Sequence, residues 1–384
     1  NIKSRLADWY PQVNAAYNLQ HNLKLPTSFL PDASGEKRPV TLGVKNTSNI
    51  QFTLSQNIFN RDVLLATRTA ADVRMQSGQL SASNKIDIVV AVSKAYYDLL
   101  LTQKQVQVLD ENILRLERSL RDAFNQYEGG IVDKIDYKRA QISLNNTRAD
   151  RKRALEAVTA KTVYLKELMG YPAEGPLSVS YDSLQMEREV FADTTSPVQP
   201  ANRIEFQLLQ TSQQLLQANL RYQKWSFLPS VSAVGSYSPT FQNEKFSELY
   251  SHAYPTAFVG LQLSVPLFQG GKRKYNIRTA ELQLQRLEWD MTSLTNNITT
   301  QYAQALASYK GSLAELNALK ENLTLAEDVY NTLQLQYNAG IKTYLEVIIA
   351  ETDLRTAQLN YLNALYQSLA GKLDLQRATG TITF

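Results

Sequence analysis

The sequence predicts a mainly α-helical chain with a small β part, and three observations carry that prediction. The first is an internal repeat. Val106, Leu109, Ile113, Leu116, Leu120, Ala123 and Tyr127 step by threes and fours into the turn Tyr127-Glu-Gly-Gly130-Ile131. About 210 residues later, Leu316, Leu319, Leu323, Ala326, Tyr330, Leu333 and Tyr337 do the same into Tyr337-Asn-Ala-Gly340-Ile341, and self-similarity on this scale marks a duplicated structural unit. The second is a set of four short segments that alternate with period two, as strands with one apolar face do. The third is the pair of long stretches that follow them. Each runs for roughly 65 residues without proline and with one interior glycine, Gly78 or Gly311, which is about 100 Å of helix.

Taken in order, the first strand is expected over about 11–22, where Val13, Ala15, Tyr17 and Leu19 interleave with Gln12, Asn14, Asn18 and Gln20. The second, about 49–59, sets Ile50, Phe52 and Leu54 against Gln51, Thr53 and Ser55. A long helix over about 61–126 turns at Gly129-Gly130 and returns over about 133–169, closing a first repeat at 170. Residues 171–201 link the repeats. The second repeat, 202–384, opens with a helix over about 202–226. Its strands are expected at about 230–241 and 256–267, its long helix at 272–337 and its return helix at 343–377. The first repeat lacks an opening helix: Leu6-Ala-Asp-Trp-Tyr-Pro11 matches Trp225-Ser-Phe-Leu-Pro229, the end of the second one. A preceding helix of some tens of residues is therefore expected to be missing.

Composition narrows the class. The 40 basic residues are spread among 36 acidic ones for a net charge of +4, and no basic block of the kind that neutralises phosphates stands out, so nucleic acid is not an expected partner. Cysteine is absent, which excludes disulfides and thiolate metal sites. No run of about 18 apolar residues would make a membrane-spanning helix. The alternating segments, however, have the length of tilted membrane strands, about 9–11 residues. Aromatic residues stand at their roots: Trp9, Tyr10, Phe59, Trp225, Phe227 and Phe268, the residue types that form girdles at a membrane surface. Four strands cannot close a barrel, since the smallest have eight, so the chain is expected to donate strands to an oligomeric one; a trimer supplies twelve. The rival from another class is a soluble coiled-coil scaffold without a barrel, because unbroken three-four spacing (Ile277, Ala280, Leu284, Leu287, Met291, Leu294, Ile298) is also a coiled-coil seam.

The order strand–strand–long helix, the Val265-Pro-Leu-Phe-Gln-Gly-Gly271 lead into the second long helix and the Tyr337-Asn-Ala-Gly340 turn together resemble the TolC-like outer-membrane efflux protein family over nearly the whole chain. The resemblance implies a homotrimer with a twelve-stranded β-barrel in the bacterial outer membrane, continuing into a long periplasmic α-helical barrel. It implies the exit duct of a tripartite efflux pump or type I secretion system, opened by a periplasmic adaptor (membrane fusion) protein and reached through it by an inner-membrane transporter or ABC ATPase. The tips that meet the adaptor would be Gly129, Gly130, Ile131 and Val132 in the first turn, with Gly340, Ile341, Lys342 and Thr343 in the second. Glycines there permit a reversal with positive φ, and apolar residues at an exposed tip suit docking.

By the same resemblance, Asp136 would accept from Tyr337 and Lys342 to latch the closed end. Lysine in place of a planar arginine makes a less directional clamp. Glu346 would be a pore-lining acid, three copies of which focus negative potential on the axis. The family's second acidic position falls on Ile349, so a single charged ring above an apolar constriction is expected. No enzyme is expected, and no cofactor or metal. His21 and His252 lack ligand partners at useful spacing, and Gly270-Gly271-Lys272 lacks the remaining glycine and hydroxyl of a phosphate loop.

Overall fold

A computed structural model describes residues 2–31, 35–131, 133–180, 183–195 and 197–384. In chain order its elements are helix α1 (Ile2–Leu6), strands β1 (Gln12–His21), β2 (Thr27–Pro31), β3 (Lys37–Thr41) and β4 (Asn46–Phe59), then helices α2 (Arg61–Glu128), α3 (Lys134–Met169), α4 (Ser183–Glu189) and α5 (Ile204–Lys224), strands β5 (Ser230–Asn243) and β6 (Ala253–Ser264), and helices α6 (Lys272–Asn338) and α7 (Tyr344–Thr379). The order strand, strand, helix of nearly 70 residues, helix of 36 residues occurs twice. Two compact units form, Asn1–Ser77 with Leu209–Trp289, and Gly78–Leu208 with Asp290–Phe384.

The first unit holds an antiparallel sheet of order β1-β4-β5-β6. Its register gathers a run of apolar partners on one face: Val13 faces Leu54, which faces Gly235 and then Val259, and the next layer runs Ala15, Phe52, Tyr237, Ala257. The other face carries Asn14, Thr53 and Ser236 in one layer that ends on Phe258 of β6. The apolar face is uncovered: Val13 is 68 % exposed, Val259 89 % and Leu261 75 %. A soluble sheet would bury these side chains at a gain of about 1.5–3 kcal/mol each. The two outer strands, β1 and β6, each keep a free edge.

Three strand limits differ from expectation by three residues, one of them the start of β6, where Ala253 pairs with Phe241. β4 begins at Asn46, whose buried amide reaches the Asn243 and Glu244 carbonyls and draws the ladder three residues further. β6 stops at Ser264, because Pro266 has no N–H for the ladder. The expected loop after β1 carries its own hairpin, β2 with β3.

In the second unit part of each seam turns inward: Leu109, Leu116 and Ala123 of α2 and Leu316 of α6 are buried, whereas Tyr127 is exposed. The main core joins Leu100, Leu101 and Val108 of α2 to Leu316 and to Leu362, Leu365 and Leu369 of α7. The segment between the repeats packs onto it through Met186 and Val190. That segment is also tied by polar contacts. Tyr309 donates to the Val190 carbonyl at 2.9 Å and accepts from the Ala192 N–H at 2.9 Å, while Glu187 takes Lys320 at 2.7 Å and Tyr361 at 2.5 Å. Among the described residues no helix is long and apolar enough to cross a membrane.

Candidate functional site at the helical turns

Both turns are built by one backbone device. In the first, the Gly130 N–H reaches the Tyr127 carbonyl at 3.0 Å and the Ile131 N–H reaches Gln126 at 2.9 Å. In the second, Gly340 reaches Tyr337 at 2.9 Å and Ile341 reaches Gln336 at 2.9 Å. These pairs occupy carbonyls that the helix end leaves open, and they require a left-handed residue. Gly130 (φ +69°) and Gly340 (φ +74°) are those residues. Gly129, also expected to use positive φ, does not: its backbone continues the helix, and Ala339 fills the equivalent place in the second turn. Ile131 is 76 % exposed and Ile341 72 %. Val132 lies outside the described residues.

The return helices start differently. Asp133 caps α3, its carboxylate accepting from the Ile135 N–H at 2.9 Å. In α7 the task falls to Glu346, which reaches back to the Thr343 N–H and hydroxyl, both at 3.0 Å, as the reciprocal half of a capping box. Lys342 donates to its other oxygen at 2.6 Å. The Lys342 hydrogen bond first, and the Thr343 N–H and hydroxyl after it, hold the Glu346 carboxyl down to about 2. The expected pore acid is thus also a helix cap and an ion-pair partner. Ile349, one turn further on, is half exposed.

Two of the three expected latch residues, Tyr337 and Lys342, meet other partners within the chain. Tyr337 donates to the Gln126 side chain at 2.9 Å, and Lys342 is engaged by Glu346. Asp136 stands half-buried in the first turn of α3, near enough for its charge to help raise the Tyr337 hydroxyl, an effect that burial leads. The described contacts include no bond from Asp136 to either residue. An apolar cluster binds the two turns together: Ala123, Ala140 and Tyr344 are buried, with Leu120, Tyr137, Tyr337 and Ile348 against them. Tyr337 and Tyr344 lie 5.8 Å apart between ring centres.

A polar layer behind this cluster was not expected from the sequence. Glu351 of α7 is 4 % exposed, with Arg115 of α2 at 4.0 Å. Arg115 lies over the Tyr330 ring of α6 and also donates to Asn112, which is fully buried. Arg355 donates to Thr147 of α3 at 2.6 Å, and Thr147 is fully buried too. Burial pushes the Glu351 carboxyl up to about 7 against the pull of Arg115 and Arg355. At 4.0 Å the pair lacks a close hydrogen bond, and the cost of removing a carboxylate from water outweighs the attraction. The signal was present: Glu351 continues the buried stripe Tyr344, Val347, Ala350, Leu354 at helical spacing. So was the capping box, spelled Thr343-Tyr-Leu-Glu346. Among the described residues no group of three or more His, Asp or Glu side chains could hold a metal ion.

Comparison with known proteins places this architecture. A family model described as outer membrane efflux protein matches residues 1–171 and 200–381. The outer membrane protein TolC of Vibrio cholerae is 22 % identical over 382 residues, covering 97 % of this chain and 82 % of that protein. The alkaline protease secretion protein AprF of Pseudomonas aeruginosa is 24 % identical over 348 residues, covering 86 % of this chain and 69 % of that protein. Among solved structures, the open state of the MtrE outer membrane channel of Neisseria gonorrhoeae superposes with a TM-score of 0.74 at 17 % identity, over 100 % of this chain and 84 % of that one. With its family model matched across both halves, the chain belongs to the outer membrane efflux protein family.

Proposed function

We propose that three copies of this chain close into one passive exit duct, a twelve-stranded barrel in the outer membrane continuing into a periplasmic helical tunnel. The single observation that carries the reading is the four-stranded sheet, with one exposed apolar face and a free edge on each side. Apolar strand faces need lipid when no core covers them, and open edges need partners. Pairing β1 of one copy with β6 of the next meets both needs. A soluble scaffold leaves both unmet. The duct catalyses nothing; energy and cargo choice belong to an inner-membrane partner reached through a periplasmic adaptor. The purified protein is expected to require detergent, to have the mass of three chains by light scattering, and to give discrete conductance steps in planar bilayers. A protein monodisperse as a single chain in plain buffer would end this reading.

Within the duct, the turns are the adaptor-docking surface: Gly129, Gly130 and Ile131 of one, Gly340, Ile341, Lys342 and Thr343 of the other. Two exposed isoleucines on matching backbones support this. Asp136, Tyr337 and Lys342 are the latch, with Lys342 exchanging Glu346 for Asp136 between states. Glu346 and Ile349 form the charged ring and the apolar constriction. The low protonation range of Glu346 keeps that ring charged at any physiological pH.

A further inference from the structure

The first unit carries a charge asymmetry that the duct itself does not need. At the end of the sheet where the strands meet helices, residues 3–4, 6–11, 60–77, 212–229 and 265–281 hold ten basic residues and four acidic ones. At the opposite end, residues 22–31, 35–45 and 244–252 hold five basic and three acidic. The helix-side segments therefore contribute more positive charge than the net +4 of the whole chain. Two of the four acids are already engaged: Asp62 accepts from Tyr222, and Glu281 pairs with Arg278 at 3.4 Å. Lys224, Lys272 and Lys274 are exposed and, among the described residues, paired with no carboxylate.

The aromatic residues at this level hold cations rather than bury themselves. Arg61 lies 4.6 Å from the Tyr222 ring centre, Arg68 4.8 Å from Trp225, and Arg273 4.8 Å from Phe227. Such stacking fixes a guanidinium where an apolar phase meets water. Beside them Leu267 and Phe268 are almost fully exposed, at 87 % and 88 %. An exposed apolar rim directly backed by unpaired ammonium and stacked guanidinium groups matches one chemistry, a lipid with acyl chains and an anionic headgroup.

We propose that this belt binds anionic phospholipid in the periplasmic leaflet of the membrane that the sheet occupies, an inference that rests on the outer-membrane duct reading. Each Lys or Arg near such a surface strengthens binding by about fivefold, and salt weakens it. The test is native mass spectrometry of the full-length assembly released from micelles containing equal phosphatidylglycerol and phosphatidylcholine. Phosphatidylglycerol adducts are expected to exceed phosphatidylcholine adducts by at least about fivefold. The excess is expected to fall toward one in the triple variant Lys224→Glu, Lys272→Glu, Lys274→Glu, with the Lys→Gln series as the milder replacement if the glutamates prevent assembly. Bilayer conductance of the wild type is measured in parallel. Equal adducts on a conducting channel, or a preference unchanged in both series, overturns the belt while leaving the duct intact. So does displacement of phosphatidylglycerol by lipid A, which would assign the surface to lipopolysaccharide phosphates. A shift in ion selectivity without loss of lipid preference also overturns it, placing the lysines on the pore. Absence of any conductance or oligomer would instead remove the duct reading itself.

Discussion

The two helical turns have nearly the same backbone and different chemistry. Each closes on a left-handed glycine, with the same pair of hydrogen bonds within 0.1 Å, and exposes an isoleucine behind it. Past that point they diverge. The first return helix is capped by Asp133, a residue outside the helix, which leaves Asp136 uncommitted to capping. The second is capped from within by Glu346, which also holds Lys342. Five residues further, Gln141 of the first repeat is half-buried and bonds Asn145 along its own helix, whereas its counterpart Glu351 is buried in the interhelical layer. Backbone symmetry suits a tube made of repeated hairpins. The side chains make the second hairpin the electrostatically loaded one.

Glu351→Gln tests that difference with the largest expected effect. A carboxyl raised to about 7 in the folded protein, against an ordinary value of 4.5, binds more protons folded than unfolded between those limits. Wild-type stability is therefore expected to fall as pH rises from about 4.5 to about 7, and to stay level above. The variant removes that fall and gains roughly 2–3 kcal/mol at pH 8 relative to its gain at pH 4.5, measured by urea unfolding at both values. The reciprocal Gln141→Glu, at a half-buried site, is expected to show little. Equal pH dependence in the two would erase the asymmetry.

Glycine substitution sharpens the shared half of the comparison. Gly130→Ala and Gly340→Ala are each expected to lose about 1–2 kcal/mol, since alanine in left-handed backbone is strained, and the two losses should match. Gly129→Ala is expected to be neutral or mildly stabilising, as Ala339 already shows in the other turn. Thermal unfolding of the three variants decides it; a costly Gly129→Ala would mean that the first turn differs after all.

The caps give the next effect. Asp133→Ala is expected to lose about 1 kcal/mol by fraying α3, visible as faster amide exchange at Ile135. Glu346→Gln is expected to fray the start of α7 and also to weaken block by multivalent cations in planar bilayers. Because the Glu346 carboxyl is held near 2, wild-type block should persist down to about pH 3 and vanish below. Block that titrates near pH 4.5, or survives the substitution, would take the ring away from Glu346.

Much of this was legible in one dimension. Period-two alternation located the four strands of the larger sheet but not the β2–β3 hairpin, and the register then placed Val13, Leu54 and Val259 on one face as the alternation requires. The seam residues Leu109, Leu116 and Ala123 turned inward. The candidate site was read less completely. Gly130, Gly340, Ile131 and Ile341 follow from turn chemistry and proximity in sequence. The partner of Tyr337 does not, because Gln126, which accepts from its hydroxyl, lies 211 residues away. Glu346 was read only as a pore-lining acid, although its spacing to Thr343 also spells a cap.

By itself, then, the sequence determined what short-range physics controls. Spacing sets which residues share a helix or strand face, glycine sets where the chain can reverse with positive φ, and the repeat sets how often the unit recurs. Only the tertiary structure decided which titratable groups lose their water. Glu351 and Gln141 occupy equivalent places in their repeats, yet one faces Arg115 and Tyr330 in a dry layer and the other stays half in solvent. Burial depends on what three other helices place around a side chain, and no local pattern encodes that.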